Sequence, residues 1–102
     1  MKVPSKQTLK KYGITELDWV EMYNLNNGLC PICERSIDNP VVDHFHVRNF
    51  KKMKADKKKI YIRGLPCNYC NRRRLARGMN LKIARNIVTY LEKFEKKLQD
   101  SK

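Results

Sequence analysis

The chain has 102 residues, with 23 Lys+Arg against 10 Asp+Glu and four cysteines. That length is one domain's worth, and it excludes a large multi-domain enzyme or a dinucleotide-binding domain. A net charge of +13 on so short a chain points to a polyanion, with nucleic acid first.

An apolar content of 41 % supports only a small core, and small chains commonly need a staple. No apolar run approaches the ~20 residues of a spanning helix, so no membrane partner is expected. Met1 to Lys11 has a charged start without an apolar stretch, which sets the expectation of no secretory signal and a cytoplasmic location. In that compartment four cysteines are expected to bind metal rather than to pair as disulfides.

Residues 1–13 are basic and lack periodicity, and they read as an N-terminal arm. Residues 14–102 read as a single domain. Thr15 is placed to cap a helix, with Asp18 as its capping-box partner. Leu17, Val20, Trp19 and Tyr23 then supply an apolar face, and Asn26-Asn27-Gly28 stop the helix. Val41 and Val42 begin a strand that runs into Asp43-His44-Phe45-His46. Ile60-Tyr61-Ile62 form a second strand, closed by Gly64. A helix is expected to start at Cys67–Cys70 and to run through Arg77.

The last helix, expected over about 80–99, carries Ala84, Ile87, Leu91, Phe94 and Leu98 at alternating steps of three and four. Packing of this stripe on the domain's own core is the favoured reading. A short coiled-coil homodimer is the alternative to a monomer, although the stripe falls short of the three or four heptads such dimers want.

Cys30-x-x-Cys33 and Cys67-x-x-Cys70 are two knuckles with 33 residues between them. Each knuckle brings two thiolates within reach of one ion, and two together complete a closed, tetrahedral Zn²⁺ site of the structural kind. The zinc must draw together the two ends of the insert, which therefore leaves and returns as a hairpin. This sets Asp43-His44 beside Asn71, which follows the second knuckle. A neutral His accepts a proton from water near pH 7. A carboxylate and an amide oxygen are hard ligands suited to Mg²⁺ or Mn²⁺. Asp43, His44 and Asn71 together are what metal-assisted phosphodiester hydrolysis requires. By strand alternation His46 shares a face with His44 and is a candidate to assist it.

At these residues the chain resembles the HNH (ββα-metal) nucleases, and most of all the phage recombination endonuclease VII family. CPIC, VDHFH and RGLPCNYCN fall in the family's order, and KYGIT (Lys11 to Thr15) fits its N-terminal pattern. The resemblance covers roughly residues 11–98. It implies a small α+β fold, a zinc-stapled ββα-metal (HNH/His-Me finger) core with flanking N- and C-terminal helices. It implies structural zinc on the four cysteines, catalytic Mg²⁺ or Mn²⁺ on Asp43 and Asn71, His44 as general base, and DNA as partner. A phage origin would put the protein inside the host cell. Two positions depart from the pattern: Phe45 stands where the family motif has a second acid, and Arg74 where some members have one.

Between Arg48 and Arg77 stand twelve basic residues and one acid, Asp56. Lys51, Lys52, Lys54, Lys57, Lys58 and Lys59 are expected on the connection between the strands. Arg72, Arg73, Arg74 and Arg77 are expected on the helix after the second knuckle. Arg63 is the candidate for binding the scissile phosphate. Such contacts position a duplex without reading its sequence.

Overall fold

Ser5 opens the first helix, α1 (Lys6–Tyr12), in a computed structural model that describes residues 2–75 and 78–100. Its side chain accepts a hydrogen bond from the Thr8 N–H at 3.2 Å. Gly13 ends the helix at φ +70°, in the left-handed conformation that glycine adopts without strain. The stretch expected as an arm thus carries a capped helix, and its Leu9 is buried in the core. A single buried residue creates no periodicity, so it leaves no mark on the hydrophobic pattern.

The second helix, α2 (Glu16–Leu25), starts at the expected capping box. Asp18 N–H donates to Thr15 Oγ1 at 3.1 Å, and Thr15 N–H donates to Asp18 Oδ2 at 2.9 Å. Its buried face differs in one residue from the expected set. Trp19 is fully buried, and Val20, Met22 and Tyr23 pack beside it, but Leu17 is exposed. Two residues turn a helix by about 200°, so Leu17 cannot share the face of Trp19. Leu9, Ile14, Trp19, Val42 and Leu65 form the core.

Two short antiparallel strands cross this core, β1 (Asp43–His44) and β2 (Ile62–Gly64). Asp43 pairs with Gly64 and His44 with Ile62, with an irregularity between them. The bonds Val41 N–H to Pro66 O (3.0 Å) and Phe45 N–H to Tyr61 O (2.8 Å) extend the pairing at both ends. Both strands are shorter than expected. Ile60 and Tyr61 belong instead to the end of a helix, α3 (Ala55–Ile60, with Tyr61 as its cap). The lysine-rich connection holds this helix and a 3₁₀ turn at Phe50–Lys52. Asp56 in the first turn of α3 and Lys57, Lys58 and Lys59 in its last turn both complement the helix dipole.

Gly13 is where α1 meets α3. A Cβ built there would lie 2.5 Å from the Ala55 carbonyl oxygen and 2.8 Å from Lys58 Cβ, so only glycine allows this approach.

After the second knuckle comes a short π-helical segment, Cys70–Arg74, ended by Leu75. The expected helix continues to Arg77, which lies outside the described residues. The last helix, α4 (Leu81–Asp100), begins with the Ile83 N–H donating to Asn80 Oδ1 at 2.9 Å. None of its described residues is buried, and Ile87, Leu91, Phe94 and Leu98 are all about half exposed. The favoured expectation that α4 packs on the core is therefore corrected. The five core residues come from α1, α2, the link between them and the chain around the two strands, leaving α4 no part in the core. No described helix is long and apolar enough to cross a membrane.

Candidate active site and metal centre

The first knuckle follows a left-handed Gly28, and Leu29 bridges to Ser36 across it. Within it Glu34 N–H donates to the Cys30 carbonyl at 2.9 Å, and Cys30 N–H donates to the Arg35 carbonyl at 2.8 Å. The second knuckle closes through Asn71 N–H to the Cys67 carbonyl at 3.0 Å. The sulfurs of Cys30, Cys33, Cys67 and Cys70 all lie within 4.8 Å of one another, and Cys33 Sγ is 3.9 Å from Cys67 Sγ. Zn–S bonds of about 2.3 Å at tetrahedral angles need sulfurs about 3.8 Å apart. The four cysteines thus form a set that could hold a zinc ion.

Backbone donors differentiate these thiols. Burial opposes ionisation of Cys30, but N–H groups of Cys33, Cys67 and Ile32 outweigh it and lower its pKa to about 6. The last two donate to Cys30 Sγ at 3.3 and 3.4 Å. Burial pushes Cys70 up to about 11 against the opposing hydrogen bond from Arg74. Arg74 Nη1 donates to Cys70 Sγ at 3.1 Å, and its guanidinium lies 4.9 Å from the Tyr69 ring centre. Arg74, although exposed, is thus engaged at the cysteine cluster.

The hairpin between the knuckles places the candidate base. The His44 ring stacks on Phe50 at 4.5 Å between centres. Tyr12 lies 5.5 Å away on another side and His46 at 4.6 Å. Phe50 is buried, so it forms a fixed wall. Burial, first, and then the neighbouring His46 hold the His44 pKa below its ordinary value. Arg63 and Lys11 act in the same direction, and Asp43 opposes them. His44 is therefore kept neutral near pH 7, the form that accepts a proton. It opens on a cavity of about 510 Å³ lined by Lys11, Tyr12, His46, Asn49, Lys51 and Lys52, among others.

Asp43 is buried, and its carboxylate takes two bonds from Arg63: Nε to Oδ2 at 2.8 Å and Nη2 to Oδ1 at 3.0 Å. Asn71 is half-buried, and its side-chain amide makes no hydrogen bond to any described residue. A carboxylate and an amide oxygen are donors of the type that hard divalent ions take.

The basic residues divide by position. Lys51 and Lys52 stand at the His44 cavity, and Lys54, Arg72 and Arg73 are exposed. Lys57 is exposed on α3. Lys58 lies over the Phe50 ring at 5.7 Å. Lys59 is turned to α2, with Nζ 2.9 Å from Asp18 Oδ1. Lys11, Tyr12 and Phe50 stand at the site without being expected there from the sequence. KYGIT carries the signal for the first two, and the aromatic at position 50 in a lysine-rich stretch carries it for the third.

The model of the recombination endonuclease VII family matches residues 5–93 of the chain. The protein belongs to the recombination endonuclease VII family. No curated protein and no solved structure matches it. Membership in the endonuclease VII family implies a nuclease role, a hydrolase with DNA as its substrate. The matched span begins at the cap of α1, so this endonuclease VII chain includes within its family region the helix that brings Tyr12 to His44.

Proposed function

We propose that the protein is a DNA endonuclease of the HNH (ββα-metal) type, with His44 as general base and Mg²⁺ or Mn²⁺ on Asp43 and Asn71. In this reading β1, β2 and Cys70–Arg74 are the ββα unit, and zinc on the four cysteines is structural. The observation that carries the reading is the His44 environment: an imidazole kept neutral by its aromatic walls, beside a buried carboxylate, facing a cavity rimmed with lysines.

His44 takes a proton from the attacking water as the phosphodiester is opened. Phe50 and Tyr12 pack against the ring and limit its rotation. His46 shares that cavity and is placed to hold phosphate or to assist the base. Lys11, Lys51 and Lys52 draw the DNA backbone to the same place and fix its position. A divalent ion, when bound, stabilises charge on the scissile phosphate and the departing oxygen.

A plasmid assay with Mg²⁺ or Mn²⁺ tests this. Wild type converts supercoiled DNA to nicked or linear forms. His44→Ala loses about 10²–10⁴-fold in rate, the usual share of a general base. Cleavage that survives His44→Ala sinks the mechanism. Tight binding without any cleavage would favour a zinc-stapled nucleic-acid-binding module instead.

A further inference from the structure

The Asp43 carboxylate is buried, yet its neutralising partner reaches solvent. The Arg63 side chain keeps a third of its surface exposed, against 7 % for Asp43. Asp43 pairs with Gly64 and His44 with Ile62, so Arg63 is the unpaired residue of the irregularity between them, and regular alternation does not hold its side chain on the face away from Asp43. The guanidinium uses its fork on both carboxylate oxygens, with further N–H donors left over. Arg63 also lines a second cavity, of about 220 Å³, which Phe45, His46 and Met79 share. His46 lines both this cavity and that of His44, so Arg63 stands close to the place proposed for DNA.

Building on the proposed metal role of Asp43, we propose that Arg63 is a cation placeholder. It neutralises Asp43 in the free protein, yields the carboxylate to the divalent ion, and turns its guanidinium to a phosphate of the bound DNA. Burial explains why a placeholder is needed, because an unpaired carboxylate in this position is strongly destabilising. Mutual repulsion explains the exchange, because a guanidinium and a divalent ion on one carboxylate oppose each other. The bidentate, planar shape of the guanidinium suits phosphate as well as carboxylate, so Arg63 has somewhere to go. The consequence is coupling: metal weakens the hold on Arg63, and DNA phosphate competes for it. Each ligand then raises the other's affinity, equally by linkage.

The test reads metal binding rather than activity. Free Mn²⁺ is counted by electron paramagnetic resonance over the zinc-loaded protein without DNA, for wild type, Arg63→Gln, Arg63→Lys and Asp43→Asn. Zinc content and circular dichroism verify each fold. The placeholder predicts that Arg63→Gln binds Mn²⁺ more tightly than wild type, by about 5-fold or more on the scale of ordinary coupling factors. Arg63→Lys keeps the charge that a folded Asp43 requires but loses the fork, and it falls between the two. In a His44→Ala background, which leaves DNA uncut, a short duplex raises Mn²⁺ affinity, and that gain shrinks when Arg63→Gln is added. Suppose both Arg63 variants bind Mn²⁺ no more tightly than wild type while Asp43→Asn abolishes binding. Then the placeholder is wrong and the metal site stands. If Asp43→Asn leaves Mn²⁺ binding unchanged, the metal is elsewhere, and both the site and the placeholder fall.

Discussion

The Arg74 guanidinium donates to Cys70 Sγ at 3.1 Å while lying against the Tyr69 ring. An arginine in a basic run thus serves a thiol. Groups that orient metal ligands from outside the coordination sphere are commonly worth 10–100-fold in metal affinity. Arg74→Ala is expected to lower zinc affinity by about 10-fold, read by competition with a chromogenic chelator. Its effect on the salt dependence of DNA binding should be nil. A changed salt slope with unchanged zinc affinity would return Arg74 to the DNA surface.

Removing zinc should unfold the domain. The core is five residues, whereas structural zinc in small peptides supplies about 10–16 kcal/mol. Chelation, or Cys67→Ser, is expected to abolish the cooperative thermal transition seen by circular dichroism. A chelated protein with a native spectrum and melting curve would show that the cysteines bear no such role.

The pH profile of cleavage follows from the walls of His44. The base acts only when neutral, so the rate rises with pH through its pKa and is flat above. Burial and His46 depress that pKa, which puts the midpoint below the ordinary histidine value of 6.5. Tyr12→Ala or Phe50→Leu lets water reach the ring and moves the midpoint up. A midpoint unmoved by both substitutions would mean that the aromatic walls do not set the base.

Salt separates the lysines that meet DNA from those that do not. Neutralising ~6 phosphates gives a slope of log K against log salt near −5. Removing one phosphate-binding side chain reduces the slope by about 1. Lys51→Ala with Lys52→Ala should flatten it by about 2, because both side chains stand at the His44 cavity. Lys59→Ala should leave it unchanged, because Lys59 is turned to Asp18 on α2. Equal effects from all three positions would argue for a diffuse charge cloud in place of a cradle.

What is legible in the sequence follows from the range of each interaction. The two CxxC turns are local, and a tetrahedral ion needs four ligands, so the cluster can be read from spacing alone. The Thr15–Asp18 box is equally local. Contacts that join distant segments leave little trace. Tyr12, His44 and Phe50 come from three separate segments, and aromatic contacts between segments have no period. The pairing of Asp43 with Arg63 depends on strand register, which a stretch of alternating residues does not specify when the strands are two and three residues long. Helix α3 reads as a charged connection because four of its six residues are charged and its two apolar ones, Ala55 and Ile60, stand at opposite ends with no helical period between them. The stripe on α4 is visible, but a stripe says that a face is apolar and not what covers it.

The close approach of Cys33 and Cys67 sulfurs pins both ends of the 33-residue insert at one point. Between those pinned ends, β1 and β2 hold His44 in place, and the lysine-rich passage from His46 to Ile60 lies beyond the last paired residues, Phe45 and Tyr61. Away from His46, Asn49 to Lys52, the Lys59 bond to Asp18 and the α3 surface against Gly13, the passage makes few demands on the clamp, so its outer positions are the place to change charge. Grafting connections of different charge onto one fixed clamp would then tune the affinity of the enzyme for DNA while its chemistry stays the same.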